Sequence, residues 1–244
     1  MAAFSREFAI IAGSGFQALA RGIAGEVQTT EYGPTSSPVR KIIIADRPLQ
    51  LLSRHGDNSH IAPHAINYRA NLKALKLRGI TDIIALNTVG IIAADLLAGQ
   101  LIVPDQIIDY SYGRDHSIYG ADSASLEHID FTQPFHEGLR QELLAAANGV
   151  AVPCGDGGVY AVTQGPRLET AAEIDRLEQD GADIVGMTAM PEAALARELG
   201  INYACVSLLV NYAAGRGDGS IHEDIKEHTA MARAHCLTLL GAFF

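Results

Sequence analysis

Tryptophan is missing from the chain, and cysteine is scarce: three thiols, Cys154, Cys205 and Cys236, with no C-x-x-C spacing among them. That scatter excludes a disulfide framework or a zinc knuckle and reads as buried thiols in a reducing compartment. Basic residues are few as well. Eighteen Lys and Arg stand against 28 Asp and Glu, a net charge of −10 with no basic stripe, which argues against a nucleic-acid partner. A small anionic substrate is compatible with this balance if a few Arg and His gather locally. No apolar run approaches the roughly 20 residues that cross a bilayer, so no membrane partner is expected. At the start, "MAAFSREFAIIAGSG" puts Glu7 before a very short apolar run, unlike a secretory signal, and the expected location is the cytoplasm.

What is present is a pattern of alternation. Short β-branched runs ("FAIIAG" 8–13, "VRKIIIA" 39–45, "LQLLS" 49–53, "DIIALN" 82–87, "QLIVPDQIID" 100–109, "GVYAVTQG" 158–165, "ADIVGMT" 182–188, "YACVSLLVN" 203–211) are separated by segments with apolar residues at i, i+3, i+4. Those helical segments cover 65–79, 135–149, 170–181, 191–200 and 222–244. Thr170 and Glu173 have capping-box spacing. Strands apolar on both faces and interleaved with helices predict an α/β fold, one domain over 1–244, with a central sheet flanked by helices. The runs 39–45 and 49–53, joined by "DRP", predict a hairpin and therefore a mixed sheet.

In such folds ligands bind at the C-terminal ends of strands. Six strand ends here carry small and polar residues: "GSG", "SRHG", "NTVG", "TQGPRLET", "GMTAMPE" and "VNYAAG". "IIAGSGFQALA" fits the dinucleotide fingerprint, but the acidic residue that should end a second strand, Glu31, lies in a loop. A glycine turn whose amides and Ser14 hydroxyl hold an oxyanion uses the same residues better. Arg54 offers a planar fork for phosphate beside His55. His60 and His64 straddle a proline without a carboxylate partner and are not read as metal ligands. Thr88 and Thr188 stand just past apolar strands and suit an anion or a sugar hydroxyl. Glu192 after Pro191, and Glu169 before a helix, read as first-turn acids.

Taken together, "RHG…H…NYRANLKALK", "NTVG", "TQGPRLETAAEI…GADIVGMTAMPEAALARELGI" and "VSLLVNYAAG" resemble the trimeric purine nucleoside phosphorylases, including their 5′-methylthioadenosine phosphorylase branch. The resemblance runs from about Ile10 to the C-terminal helix. It implies the nucleoside phosphorylase fold, cleavage of an N-glycosidic bond by inorganic phosphate as co-substrate, a homotrimer, no metal and no organic cofactor. It also implies that Ser14, Arg54, His55, Thr88 and Thr188 contact phosphate and that Met187 lies under the ribose. Leu168 falls where the family usually has Phe against the base, and Glu169 where a carboxylate accepts from base N1–H. His128 falls where a neighbouring subunit reaches the 5′ substituent.

"VNYAAG" then sets the base preference. The adenine-reading branch ends this strand on Asp-x-Asp, with acceptors for the 6-amino group; here Asn211 and Ala213 hold those positions. An amide can donate to a 6-oxo group and meet N7 with its other edge. Ala213 leaves an amino group unpaired, at about 1–3 kcal/mol. At the other end Ile221 and Ile225, four apart on the C-terminal helix, form an apolar lining suited to a 5′-methylthio group; His222 keeps a 5′-hydroxyl contact open. The expected reaction is phosphorolysis of 5′-methylthioinosine to hypoxanthine and 5-methylthioribose 1-phosphate, with Asn211 and Glu169 as the catalytic contacts. Methylthioadenosine phosphorolysis and general inosine or guanosine phosphorolysis are the alternatives.

Overall fold

The computed structural model describes residues 6–120 and 126–244. In chain order the strands are β1 (Phe8–Ala12), the two-residue β2 (Gly25–Glu26), β3 (Thr29–Thr30) and β4 (Gly33–Pro34), β5 (Val39–Ile44), β6 (Arg47–Ser53), β7 (Asp82–Ile91), β8 (Leu101–Val103), β9 (Gln106–Asp109), β10 (Cys154–Asp156), β11 (Val159–Val162), β12 (Ile184–Gly186) and β13 (Asn202–Tyr212). The helices are α1 (Tyr68–Leu77), α2 (Glu137–Gly149), α3 (Ala171–Gln179), α4 (Ala189–Glu198) and α5 (Ile221–Phe243). One mixed sheet runs β10-β8-β13-β7-β1-β6-β5-β2, and β12, β11 and β9 branch from the end of β7. The result is an α/β domain.

At its centre β6, β1, β7 and β13 are parallel, so their C-terminal ends open on one edge. Each is apolar on both sides because helices cover both faces. Leu72 and Leu75 of α1 and Ala193 and Leu195 of α4 fill one face. Leu139 and Leu143 of α2, with Cys236, Leu239 and Leu240 of α5, fill the other. A smaller cluster seats Ile174 and Leu177 of α3 against Val185 and Ala213.

The hairpin forms, but its turn is at Ala45 and Asp46, both with positive φ (46° and 63°), as a two-residue turn between right-twisted strands requires. Arg47 and Pro48 already belong to β6. The run 100–109 is not one strand. Pro104 cannot donate to a ladder and divides it into β8, which pairs β13 and β10, and β9, which pairs β11. The capping box is present: Thr170 accepts from the Glu173 amide and Glu173 from the Thr170 amide.

A bulge in β13 positions the site. Leu209 is in register with Val89 but Asn211 with Gly90, so Val210 is an extra residue. Before it, Tyr203, Cys205 and Leu209 face the α1/α4 side, and Ala204, Val206, Leu208 and Val210 the α5 side. After it the phase inverts. Tyr212 packs on the α1/α4 side, and Asn211 and Ala213 turn the other way.

Candidate active site

At the C-terminal edge of the parallel strands lies a cavity of roughly 330 Å³. Residues 13–15 after β1, Arg54 and His55 after β6, residues 87–90 at the end of β7, and Val210, Asn211, Ala213 and Ala214 at and just past the end of β13 bring its walls together. Leu168 and Glu169 come from the turn between β11 and α3, and residues 185–188 from the end of β12 and the turn after it. Ile221, Ile225 and Thr229 of α5 close the remaining side. Of the residues singled out in the sequence, Ser14, Arg54, His55, Thr88, Leu168, Glu169, Met187, Thr188, Asn211, Ala213, Ile221 and Ile225 all line this one space. His222 and His128 are exposed and do not line it.

At the end expected to take an anion, the glycine turn is set by close approach. A Cβ on Gly13 would lie 2.5 Å from the Leu86 carbonyl and 2.9 Å from Arg54 Nη1. The segment after it is a 3-10 turn, Gln17–Ala20, and not the α-helix that a dinucleotide site needs. Among the described residues, the Ser14 and Thr88 hydroxyls have no protein hydrogen-bond partner. His55 donates from Nδ1 to the Ile61 carbonyl at 2.8 Å, and among the described residues its Nε2 has no protein partner. Burial, then the charge of Arg54, pushes the His55 pKa below its ordinary value, so the ring is neutral near pH 7.

Arg54 differs from the sequence expectation. Its fork does not face the cavity. Nε and Nη2 each donate at 2.7 Å to Glu192, and both side chains are fully buried. Nη2 also donates to Asn87 Oδ1 (3.3 Å) and Nη1 to the Leu86 carbonyl (3.1 Å). Only an edge of Nη1 is left for a ligand. Burial works against the charge, but the Glu192 carboxylate more than reverses it, and Arg54 is held as a cation. Glu192 does sit in the first turn of α4, yet its oxygens are spent on Arg54 and on the Tyr203 hydroxyl (2.8 Å), not on the helix end. Asn87 passes the network on, its Nδ2 donating to Thr188 Oγ1 at 3.2 Å and to the Tyr160 hydroxyl at 3.3 Å.

At the opposite end, Asn211 Nδ2 gives one proton to the Tyr212 carbonyl (2.8 Å), which fixes the amide plane. A second N–H and the Oδ1 carry no protein partner among the described residues and are available to a ligand. Gly90 backs this amide; a Cβ there would come within 3.2 Å of Nδ2. Ala213 is buried beside it with nothing to offer a polar group. Glu169 accepts from the Thr163 hydroxyl through Oε1 (2.6 Å).

Several residues that build the site were not singled out from the sequence. Arg114, buried, donates to the Thr163, Gln164, Met187 and Met190 carbonyls and to Gln164 Oε1, tying the turn before Leu168 to the turn carrying Met187. It lies far from any motif, and only its place in an otherwise polar loop, "SYGRDH", marks it. Asn87 carried a signal: a buried amide in an otherwise apolar strand run needs partners. Thr229 enters the cavity two turns into α5, beyond the reach of the Ile221–Ile225 pairing.

The family model of the phosphorylase superfamily matches residues 7–244. A probable S-methyl-5′-thioinosine phosphorylase of Pseudomonas syringae pv. tomato is 47% identical over 217 residues, 88% of this chain and 88% of that protein. A 6-oxopurine nucleoside phosphorylase of Pyrococcus furiosus is 39% identical over 90% of this chain and 84% of that protein. Among solved structures, the methylthioadenosine phosphorylase of Schistosoma mansoni in complex with adenine superposes with a TM-score of 0.89 at 30% identity, covering 98% of this chain and 91% of that one.

Proposed function

Because the chain belongs to the phosphorylase superfamily, we propose that it cleaves the N-glycosidic bond of S-methyl-5′-thioinosine with inorganic phosphate, releasing hypoxanthine and 5-methylthioribose 1-phosphate. The carrying observation is the polarity of the purine end: a fixed amide at Asn211, a bare methyl at Ala213 and a carboxylate at Glu169 around one space. A 6-oxopurine presents an acceptor at O6 and a donor at N1–H, matching amide N–H and carboxylate in turn. Adenine presents the reverse at both atoms.

The same contacts serve the chemistry. As the bond to C1′ stretches, negative charge spreads over N7 and O6, and a donor held there binds the transition state better than the ground state. Phosphate approaches C1′ on the side of Ser14, His55, Thr88, Thr188 and the Nη1 edge of Arg54. It is itself the nucleophile, so no covalent enzyme intermediate is required. Met187 lies under the pentose, Leu168 against the base, and Ile221 and Ile225 receive the methylthio group. No metal or organic cofactor enters this scheme.

We further propose a homotrimer in which His128, outside its own chain's cavity, completes the 5′ end of a neighbour's. A cytoplasmic location fits the three free thiols. Light scattering with size-exclusion chromatography checks the trimer.

Methylthioadenosine phosphorolysis is the second reading, favoured by the fold match to an enzyme of that name. Initial rates on methylthioinosine, methylthioadenosine and inosine, with and without phosphate, separate the alternatives. Methylthioinosine is expected to be fastest and strictly phosphate-dependent. A faster methylthioadenosine reaction overturns the assignment of the purine end, and a faster inosine reaction that of the 5′ wall.

A further inference from the structure

The cavity contains an arginine whose charge is cancelled from behind. Glu192 is 0% exposed, takes both Nε and Nη2 of Arg54 at 2.7 Å, and does not line the cavity. The pair is net neutral. Its orientation is fixed on every side: Tyr203 donates to Glu192, Leu86 and Asn87 accept from Arg54, and Asn87 carries the connection to Thr188 on the cavity wall.

We propose that Glu192 is a positioning residue that weakens the hold of Arg54 on phosphate, keeping the anion loosely bound and nucleophilic. A free guanidinium fork would clamp two phosphate oxygens. That grip would strengthen the ground state and leave the attacking oxygen less able to move towards C1′, a loss under differential binding. With the fork committed to Glu192, one N–H and neighbouring hydroxyls hold the anion instead. This inference rests on the phosphate end proposed above.

The test is Glu192→Gln, which keeps volume and removes the charge. Phosphate then becomes the countercharge of Arg54. The expected result is a phosphate KM at least fivefold lower, a kcat at least fivefold lower, and a methylthioinosine KM within twofold of wild type. Melting of the variant is also expected to rise with phosphate more than melting of the wild type does. An unchanged or higher phosphate KM, or a phosphate-induced shift no larger than that of the wild type, overturns the proposal. Tyr203→Phe gives an independent reading should Glu192→Gln fail to fold. Losing the hydroxyl leaves Glu192 more charge to direct at Arg54, so phosphate KM should rise two- to threefold; an equal or lower value overturns the proposal. Wild-type turnover without phosphate would instead sink the phosphorylase reading itself.

Discussion

Thr163 Oγ1 donates to Glu169 Oε1 at 2.6 Å across the turn between β11 and α3. The bond occupies one carboxylate oxygen from the protein side and fixes the plane of the other. Glu169 is therefore a held acceptor at the mouth of the cavity and not a solvated first-turn acid.

Glu169→Met removes the acceptor for N1–H and should lower kcat/KM on methylthioinosine by about ten- to a hundredfold, the range of 1–3 kcal/mol for an unpaired group. Activity on methylthioadenosine, whose N1 brings no proton, should fall much less. Thr163→Val should give a milder loss of about two- to tenfold, the worth of one hydrogen bond. Steady-state rates on both nucleosides decide it; equal losses on both would refute the assigned polarity.

Asn211→Ala should reduce kcat on methylthioinosine by about a hundredfold, since its donor matters most as charge builds on the base. The double replacement Asn211→Asp with Ala213→Asp should shift the ratio of methylthioadenosine to methylthioinosine turnover upwards by at least tenfold. Competition between the two substrates in one vessel measures that ratio directly.

Arg114→Met strands four main-chain carbonyls that now share one guanidinium. Unfolding in urea should show a loss of about 3–5 kcal/mol. In the folded fraction both KM values should rise, the nucleoside's through Leu168 and Met187 and phosphate's through Thr188, which shares the second turn with Met187.

His55 supplies a pH test. Its folded pKa is depressed below the ordinary 6.5, by burial and then by Arg54. The unfolded chain therefore binds the proton more readily, and stability from this group is complete above about pH 6.5 and declines as pH falls towards the folded pKa. His55→Gln should flatten that part of the profile of melting temperature against pH. A profile of unchanged slope would mean that the ring is not buried neutral.

Much of this was legible in the residues. Short β-branched runs, apolar on both faces, marked the central strands, Thr170 and Glu173 announced the start of α3, and small polar strand ends marked the edge where the cavity opens. What stayed hidden depends on tertiary pairing. Nothing local in "SRHG" says that Arg54 spends its fork on Glu192, 138 residues away. Pro104 divided what looked like one strand because a break in a ladder matters only once partners are chosen. β10, with Gly155 at its middle, has too little side chain to announce a strand and exists because β8 offers an edge. Arg114 was invisible because its partners are carbonyls, which every residue possesses.

The extra residue at Val210 has a consequence for how selectivity here could change. One insertion puts two consecutive side chains, Val210 and Asn211, on the cavity side of β13. Deleting Val210 would restore plain alternation after Leu209, with Asn211 still facing the cavity and Tyr212 still behind it, and the wall one residue shorter. Point substitutions at 211 and 213 can retune which purine is accepted, whereas a deletion at 210 would resize the wall around an unchanged amide.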